Sequence, residues 1–165
     1  MISTQMRAVV RNASGSAFQI GSISRPEAAA GQVLVWIQAS AVNPLDVEIR
    51  KGQAAHARHP LPAILGIDLA GVVESVGSGV AQFRRGGEVY GMTGGAGGLQ
   101  GSLAEILAAD ADLLAVKPNN LNMREAAALP LIFITAWEGL VDRAIGPDST
   151  LAHAVQCRLA EDSKR

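Results

Sequence analysis

Cysteine is almost absent from this chain. The single one, Cys157, excludes an internal disulfide and leaves no cysteine cluster from which a zinc site would be built. Long apolar runs are also missing. The longest, Ala126 to Trp137, is bounded by Glu125 and Glu138 and broken by Pro130, so it falls short of the roughly 20 residues a spanning helix needs and reads as core. Charge of one sign is lacking: the formal net charge is −1, which gives no electrostatic reason to expect nucleic acid or an acidic membrane as partner. The opening residues, Met-Ile-Ser-Thr-Gln-Met-Arg, contain no apolar secretory region, and the cytoplasm is the expected compartment. Glycine, frequent through the middle of the chain, does not occur after Gly146.

What is present fits one globular core. Hydrophobic residues make up 48% of 165 residues, and a chain of that length buries roughly 70% of its unfolded surface. Met6 to Asn12, with Ala-Val-Val at its centre, and Ala17 to Ser24 read as two strands joined by a turn at Ser14-Gly15-Ser16. Gln32 to Val42 carries Val33, Val35 and Ile37 on one face and Leu34 and Trp36 on the other, the pattern of a central strand. The stretch Leu65 to Gly77 holds Val-Val-Glu-Ser-Val between glycines and reads as another strand, the one around which the chain is organised.

Asn43 to Gly52 has every signal of a short helix. Asn43 suits the N-cap, Pro44 the first helical position, Asp46 the positive end, Arg50 and Lys51 the negative end, and Gly52 the position past the end. Capping alone would account for Asn43 and Asp46. A second capping box, Asn122-Met123-Arg124-Glu125, starts a helix that Pro130 ends or kinks, and a further helix is expected from about Leu131 to Ala144, stopped by Gly146-Pro147. On it, Thr135 is a candidate to bond a preceding helix carbonyl, and Trp137 to pack in a core or interface.

Two features attract attention as sites. His56 and His59, three apart in a loop ending at Pro60 and Pro62, lack zinc spacing and read as exposed loop histidines. Gly95-Ala96-Gly97-Gly98-Leu99-Gln100-Gly101 invites a phosphate-loop reading, but the dinucleotide fingerprint needs glycine where Gln100 stands. The better reading makes Gly101 to Glu105 a strand and Leu113 to Val116 the next.

Several of these segments together resemble the zinc-independent, quinone-oxidoreductase-like branch of the medium-chain dehydrogenases and reductases. Zinc-dependent members place a Gly-His-Glu triplet just before the organising strand, whereas here it is Gly66-Ile67-Asp68. Ala41-Val42-Asn43-Pro44-Leu45-Asp46 matches the quinone oxidoreductases' Ala-Val-Asn-Pro-x-Asp segment, which stands in place of a zinc-ligating cysteine. Gly101 to Glu105 resembles the family's Gly-x-x-Ala-Glu strand, and Glu125 to Leu140 its linker helices. Two positions depart from the pattern: Glu48 replaces a frequent tyrosine, and Gly87 a usual Asp.

The resemblance implies a mainly β fold with a few helices, a GroES-like, partly open β-barrel over residues 1–149, with linker helices at its end. It also implies NADPH-dependent reduction of a quinone or an α,β-unsaturated carbonyl by hydride transfer. Asn43 and Asp46 are then the expected catalytic positions, Asn43 and Thr135 the cofactor-facing ones, and no metal is expected. Residues 150–165 do not continue the pattern: a buried strand and glycine-rich turn are expected there, and Leu151, Val155 and Leu159 instead suggest a short amphipathic helix. The expectation is therefore a chain cut short or shifted in frame, lacking the Rossmann domain, inactive as it stands and binding NADPH weakly. Self-association through exposed linker helices is a further expectation. The alternative is a non-catalytic GroES-like binding or assembly module.

Overall fold

A computed structural model describes residues 4–13, 16–55 and 60–142. The chain divides into two compact units, Met1–Leu131 and Ile132–Arg165. Every strand pair in the first unit is antiparallel. The elements are β1 (Gln5–Arg11), β2 (Gln19–Ser24), β3 (Gln32–Ser40), α1 (Pro44–Lys51), β4 (Ala63–Ile64), β5 (Asp68–Val76), β6 (Glu88–Met92), β7 (Ile106–Asp110), β8 (Leu114–Val116), α2 (Met123–Ala127) and α3 (Pro130–Trp137).

They form two open sheets, β2-β1-β4 and β7-β3-β5-β6-β8. Neither closes on itself among the described residues, so the barrel is an open one. The sheets are tied by hydrogen bonds from Val9 N–H to Leu103 O and from Glu105 N–H to Arg7 O. The opening hairpin has the expected register, with Met6 opposite Ile23 and Val9 opposite Ile20; residues 14 and 15 of its turn lie outside the described residues.

The main core lies against one face of the five-stranded sheet, where Val33, Val35, Leu69, Val73, Val89 and Leu107 are buried together. The alternation of side chains along β3 sends Leu34 the other way, onto Met6 and Ile106. Trp36 follows Leu34 in that row but is 56% exposed. The expected second apolar face of β3 is thus only half realised: Leu34 is buried with Met6 and Ile106, while Trp36, paired with Ile106 on β7, keeps more than half of its surface open. Where β5 crosses β3, Gly71 is required: a Cβ there would stand 2.3 Å from Trp36 O.

Both capping boxes form. Asn122 Oδ1 accepts the N–H groups of Arg124 and Glu125 at 2.9 and 3.0 Å, and Glu125 Oε2 accepts Asn122 N–H at 2.8 Å. Gly52 ends α1 in the left-handed region at φ 75°. Arg11, buried at the end of β1, donates to Ile49 O in the last turn of α1. The helix is pinned at both ends.

The expected strand from Gly101 to Glu105 does not form; the strand begins at Ile106 and only an isolated bridge, Ala8 to Ala104, precedes it. The reason lies in the neighbours. The N–H groups of Gly101, Ser102 and Leu103 bond to the carbonyls of Ile64, Gly66 and Leu65, a crossed pattern that a regular ladder cannot make.

In the second unit, α3 runs to Trp137 and a π turn covers Glu138–Asp142. Phe133 and Trp137, one turn apart, stack with ring centroids 6.0 Å apart. Trp137 is 51% exposed, so of the two expected roles, core or interface packing, the core one does not hold. The expected end of this helix near Ala144, the Gly146-Pro147 stop, the tail with Cys157, and His56 and His59 all lie outside the described residues.

Candidate functional site

The residues that stand out chemically are two buried acids joined by one residue, Asn43, through its backbone N–H and its side-chain amide. β3 delivers the chain to Ala41, whose N–H bonds to Asp68 O at 3.3 Å. Asn43 then takes an extended conformation, φ −106° and ψ 160°, that lets Pro44 open α1. Asp46, in the first turn, accepts Asn43 N–H on Oδ2 at 2.7 Å. Asp68, the first residue of β5, accepts Asn43 Nδ2 on its own Oδ2 at 2.9 Å. Asn43 and Asp46 are buried, and Asp68 has no exposed surface.

Burial disfavours the ionised form of both carboxyls and pushes each above the ordinary aspartate value. For Asp46 the hydrogen bonds from Asn43 work against that rise. For Asp68 the hydrogen bonds from Asn43 and Leu131 oppose it, while the neighbouring Asp46 charge adds to it.

A third contact leaves the cluster. Leu131 N–H, in the first turn of α3, is directed at the Asp68 carboxylate, 3.2 Å from Oδ1 and 3.3 Å from Oδ2. Sequence reading singled out Asn43 and Asp46, and the structure brings both together. It gave Asp68 no role. The available signal was an acid opening the apolar first half of a strand, Leu69 to Val73, which must find partners if buried. Thr135, the other expected site residue, lies on α3 in the second unit.

Ile67, at the position where the resemblance implies histidine in zinc-dependent members, is buried with Ile49, Ala54, Ala63 and Leu65. That side chain offers no donor, and among the described residues no three His, Cys, Asp or Glu side chains come together. A zinc ion does not fit this donor set.

Nor does the glycine-rich loop fit a dinucleotide's pyrophosphate. A Cβ at Gly95 would lie 2.4 Å from Gly66 O, one at Gly94 2.2 Å from Gln100 O, and one at Gly101 2.2 Å from Leu65 O. Those glycines are needed for the loop to press on backbone, its own at Gln100 and that of Leu65 and Gly66. Only Gly97 and Gly98, both at positive φ, face open space or an ordinary contact with Pro60.

Comparison with known proteins agrees with this fold. Residues 29–119 match the alcohol dehydrogenase GroES-like domain. The chain is similar to 2-methylene-furan-3-one reductase of Solanum lycopersicum, 46% identical over 72% of this chain and 32% of that protein. It is similar to the chloroplastic NADPH-dependent alkenal/one oxidoreductase of Arabidopsis thaliana, 45% identical over 70% of this chain and 31% of that protein. With the quinone oxidoreductase of Mus musculus it shares 38% identity over 74% of this chain and 36% of that protein. A crystal structure of an alcohol dehydrogenase superfamily protein from Novosphingobium aromaticivorans superimposes with a TM-score of 0.83 and 58% identity, over 84% of this chain and 42% of that one. The chain thus spans about a third of the length of the curated relatives it matches. Among the described residues no helix is long and apolar enough to cross a membrane.

Proposed function

This chain belongs to the alcohol dehydrogenase GroES-like domain family, and on that premise we propose that it forms the substrate-side domain of a zinc-independent, NADPH-dependent reductase of quinones or α,β-unsaturated carbonyls. The observation that carries the reading is the exchange of metal-ligand chemistry for a buried polar cluster. Ile67 is part of an apolar core, while Asn43 bridges Asp46 and Asp68. Relatives named for alkenal/one and quinone reduction support the substrate class.

In this reading Asn43 positions the substrate or the nicotinamide ribose, Asp46 orders the loop that carries Asn43, and Thr135 lines the cofactor side. NADPH supplies the hydride when bound by the complete reductase; no step within this chain is assigned to it, because Gly94, Gly95 and Gly101 leave no room for a Cβ against backbone carbonyls and so serve the packing of the loop. Without a metal, the charge that develops on the substrate oxygen has to be met by hydrogen-bond donors held in place beforehand. Within the cluster Asn43 N–H and one Nδ2 hydrogen are directed at Asp46 and Asp68, so the second Nδ2 hydrogen, oriented by the Asp68 bond, is the donor that this reading assigns to the substrate oxygen.

The chain by itself is expected to bind NADPH more weakly than micromolar. Fluorescence titration checks this, and saturable enhancement of nicotinamide emission at micromolar protein would return the Gly95 loop to consideration as a phosphate site. The wider reading is tested on the coding sequence beyond Arg165. A strand followed by a Gly-x-Gly-x-x-Gly-like turn in any frame, and NADPH consumption with an enone or a quinone by the protein so extended, is the expected result. An extended protein that consumes NADPH with neither substrate would favour a binding or assembly module.

A further inference from the structure

We propose that Asp68 is the positioning residue of the Asn43 site, a single buried carboxylate that fixes the Asn43 amide and also caps the start of α3. The geometry makes two demands on one group. Asn43 Nδ2 donates to Asp68 Oδ2 at 2.9 Å, across 25 residues of sequence. Leu131 N–H lies 3.2 and 3.3 Å from the two carboxylate oxygens, across 63 residues. Leu131 is the second residue of α3, where an N–H has no acceptor within its own helix, and Leu129, the residue before the helix, has no side-chain oxygen with which to cap. The cap therefore comes from β5.

An ionised carboxylate only accepts hydrogen bonds, so Asp68 obliges Asn43 to turn its Nδ2 end inward, and the carbonyl end is fixed by the same choice. Water is a poor substitute, because Asn43 is 5% exposed and Asp68 0%. In asparagine at position 68, an oxygen kept toward Asn43 Nδ2 leaves a donor NH2 where Oδ1 now lies 3.2 Å from Leu131 N–H, so donor faces donor and the Leu131 contact is weakened. The consequence is a mechanical link: the loop before α1 and the last residue of the first unit, Leu131, share one anchor.

This inference deepens the proposed reading and rests on it for any effect on turnover, but not for its structural content. The test is ¹H–¹⁵N NMR of the 165-residue chain, wild type against Asp68→Asn and Asp68→Glu. In the wild type the Asn43 side-chain NH2 and the Leu131 amide are expected to be protected from solvent exchange. In Asp68→Asn the Leu131 amide should exchange roughly tenfold faster or more, as loss of a hydrogen bond to a charged group implies, and the Asn43 NH2 resonances should move. Asp68→Glu should restore part of both, while the β1–β2 hairpin amides stay unchanged in either variant. If Asp68→Asn does not fold, the wild-type spectrum still decides: an Asn43 NH2 that exchanges like a free side-chain amide, or an unprotected Leu131 N–H, overturns the proposal. In a complete reductase, Asp68→Asn should raise KM more than it lowers kcat. A wild-type reductase that turns over neither substrate would refute the functional reading and leave these resonances to decide on Asp68.

Discussion

Substituting Gly101 by alanine should be far more damaging than the same change at Gly97, although both glycines lie in one loop. At Gly101 the added Cβ would stand 2.2 Å from Leu65 O, 2.3 Å from Leu65 C and 2.6 Å from Ile64 O, all backbone atoms that cannot swing aside. Moving them apart disturbs the bonds from Gly101 N–H to Ile64 O and from Ser102 N–H to Gly66 O, both 2.9 Å. Overpacking of this kind costs about 1–3 kcal/mol, and each weakened hydrogen bond adds about 1 kcal/mol. The sum, about 3–5 kcal/mol, is a large share of the roughly 5–15 kcal/mol by which domains are stable. At Gly97 nothing lies within 4 Å, and the penalty is only the left-handed backbone at φ 62°, about 1–2 kcal/mol. Urea unfolding followed by circular dichroism measures both. Equal losses at the two positions, or a larger loss at Gly97, would refute the claim that this loop is glycine-rich because it packs against residues 64–66.

Titration should show the buried acids working against the fold as they ionise. Asp46 and Asp68 have native pKa values raised from 3.8, so the native state holds their protons more tightly than the unfolded chain does. Their contribution is complete below about pH 4 and is lost as pH rises through the native values. Asp46→Asn should flatten that decline in urea midpoints measured from acid to neutral pH, and an unchanged slope would count against it. Glu105 acts in the opposite sense: its hydrogen bonds with Arg7 lower its pKa from 4.5, so its contribution is present above that value and lost as pH falls. Chelator-washed protein should contain no stoichiometric zinc by elemental analysis, and Ile67→His should lose about 2 kcal/mol or more of stability without acquiring the metal; retention of one zinc per chain by either protein would contradict the metal-free reading. Asn122→Ala should cost about 1 kcal/mol in the same unfolding assay, since it removes the acceptor for two N–H groups at the start of α2.

The parts legible in the sequence are those whose causes lie within a few residues of their effects. The α1 bounds, both capping boxes, the opening hairpin and the inward row of β3 follow from the chemistry of caps and from alternation, which neighbouring residues settle among themselves. Asn43 and Asp46 are legible as a capping pair for the same reason, since their bond spans three residues, while any role in a site comes from the resemblance alone. Tertiary structure alone decided the rest. Asp68 acquired its partners from 25 and 63 residues away, and no local pattern distinguishes an acid that will be met by such donors from one that will face water. Trp36 and Leu34 occupy equivalent places in the alternation, yet only Leu34 is buried, and nothing local to β3 distinguishes the two. The residues from Gly101 to Glu105 have a strand's composition but bond to a neighbouring segment in a crossed order. Their glycine is required by the carbonyl of Leu65, which approaches only once the chain has folded.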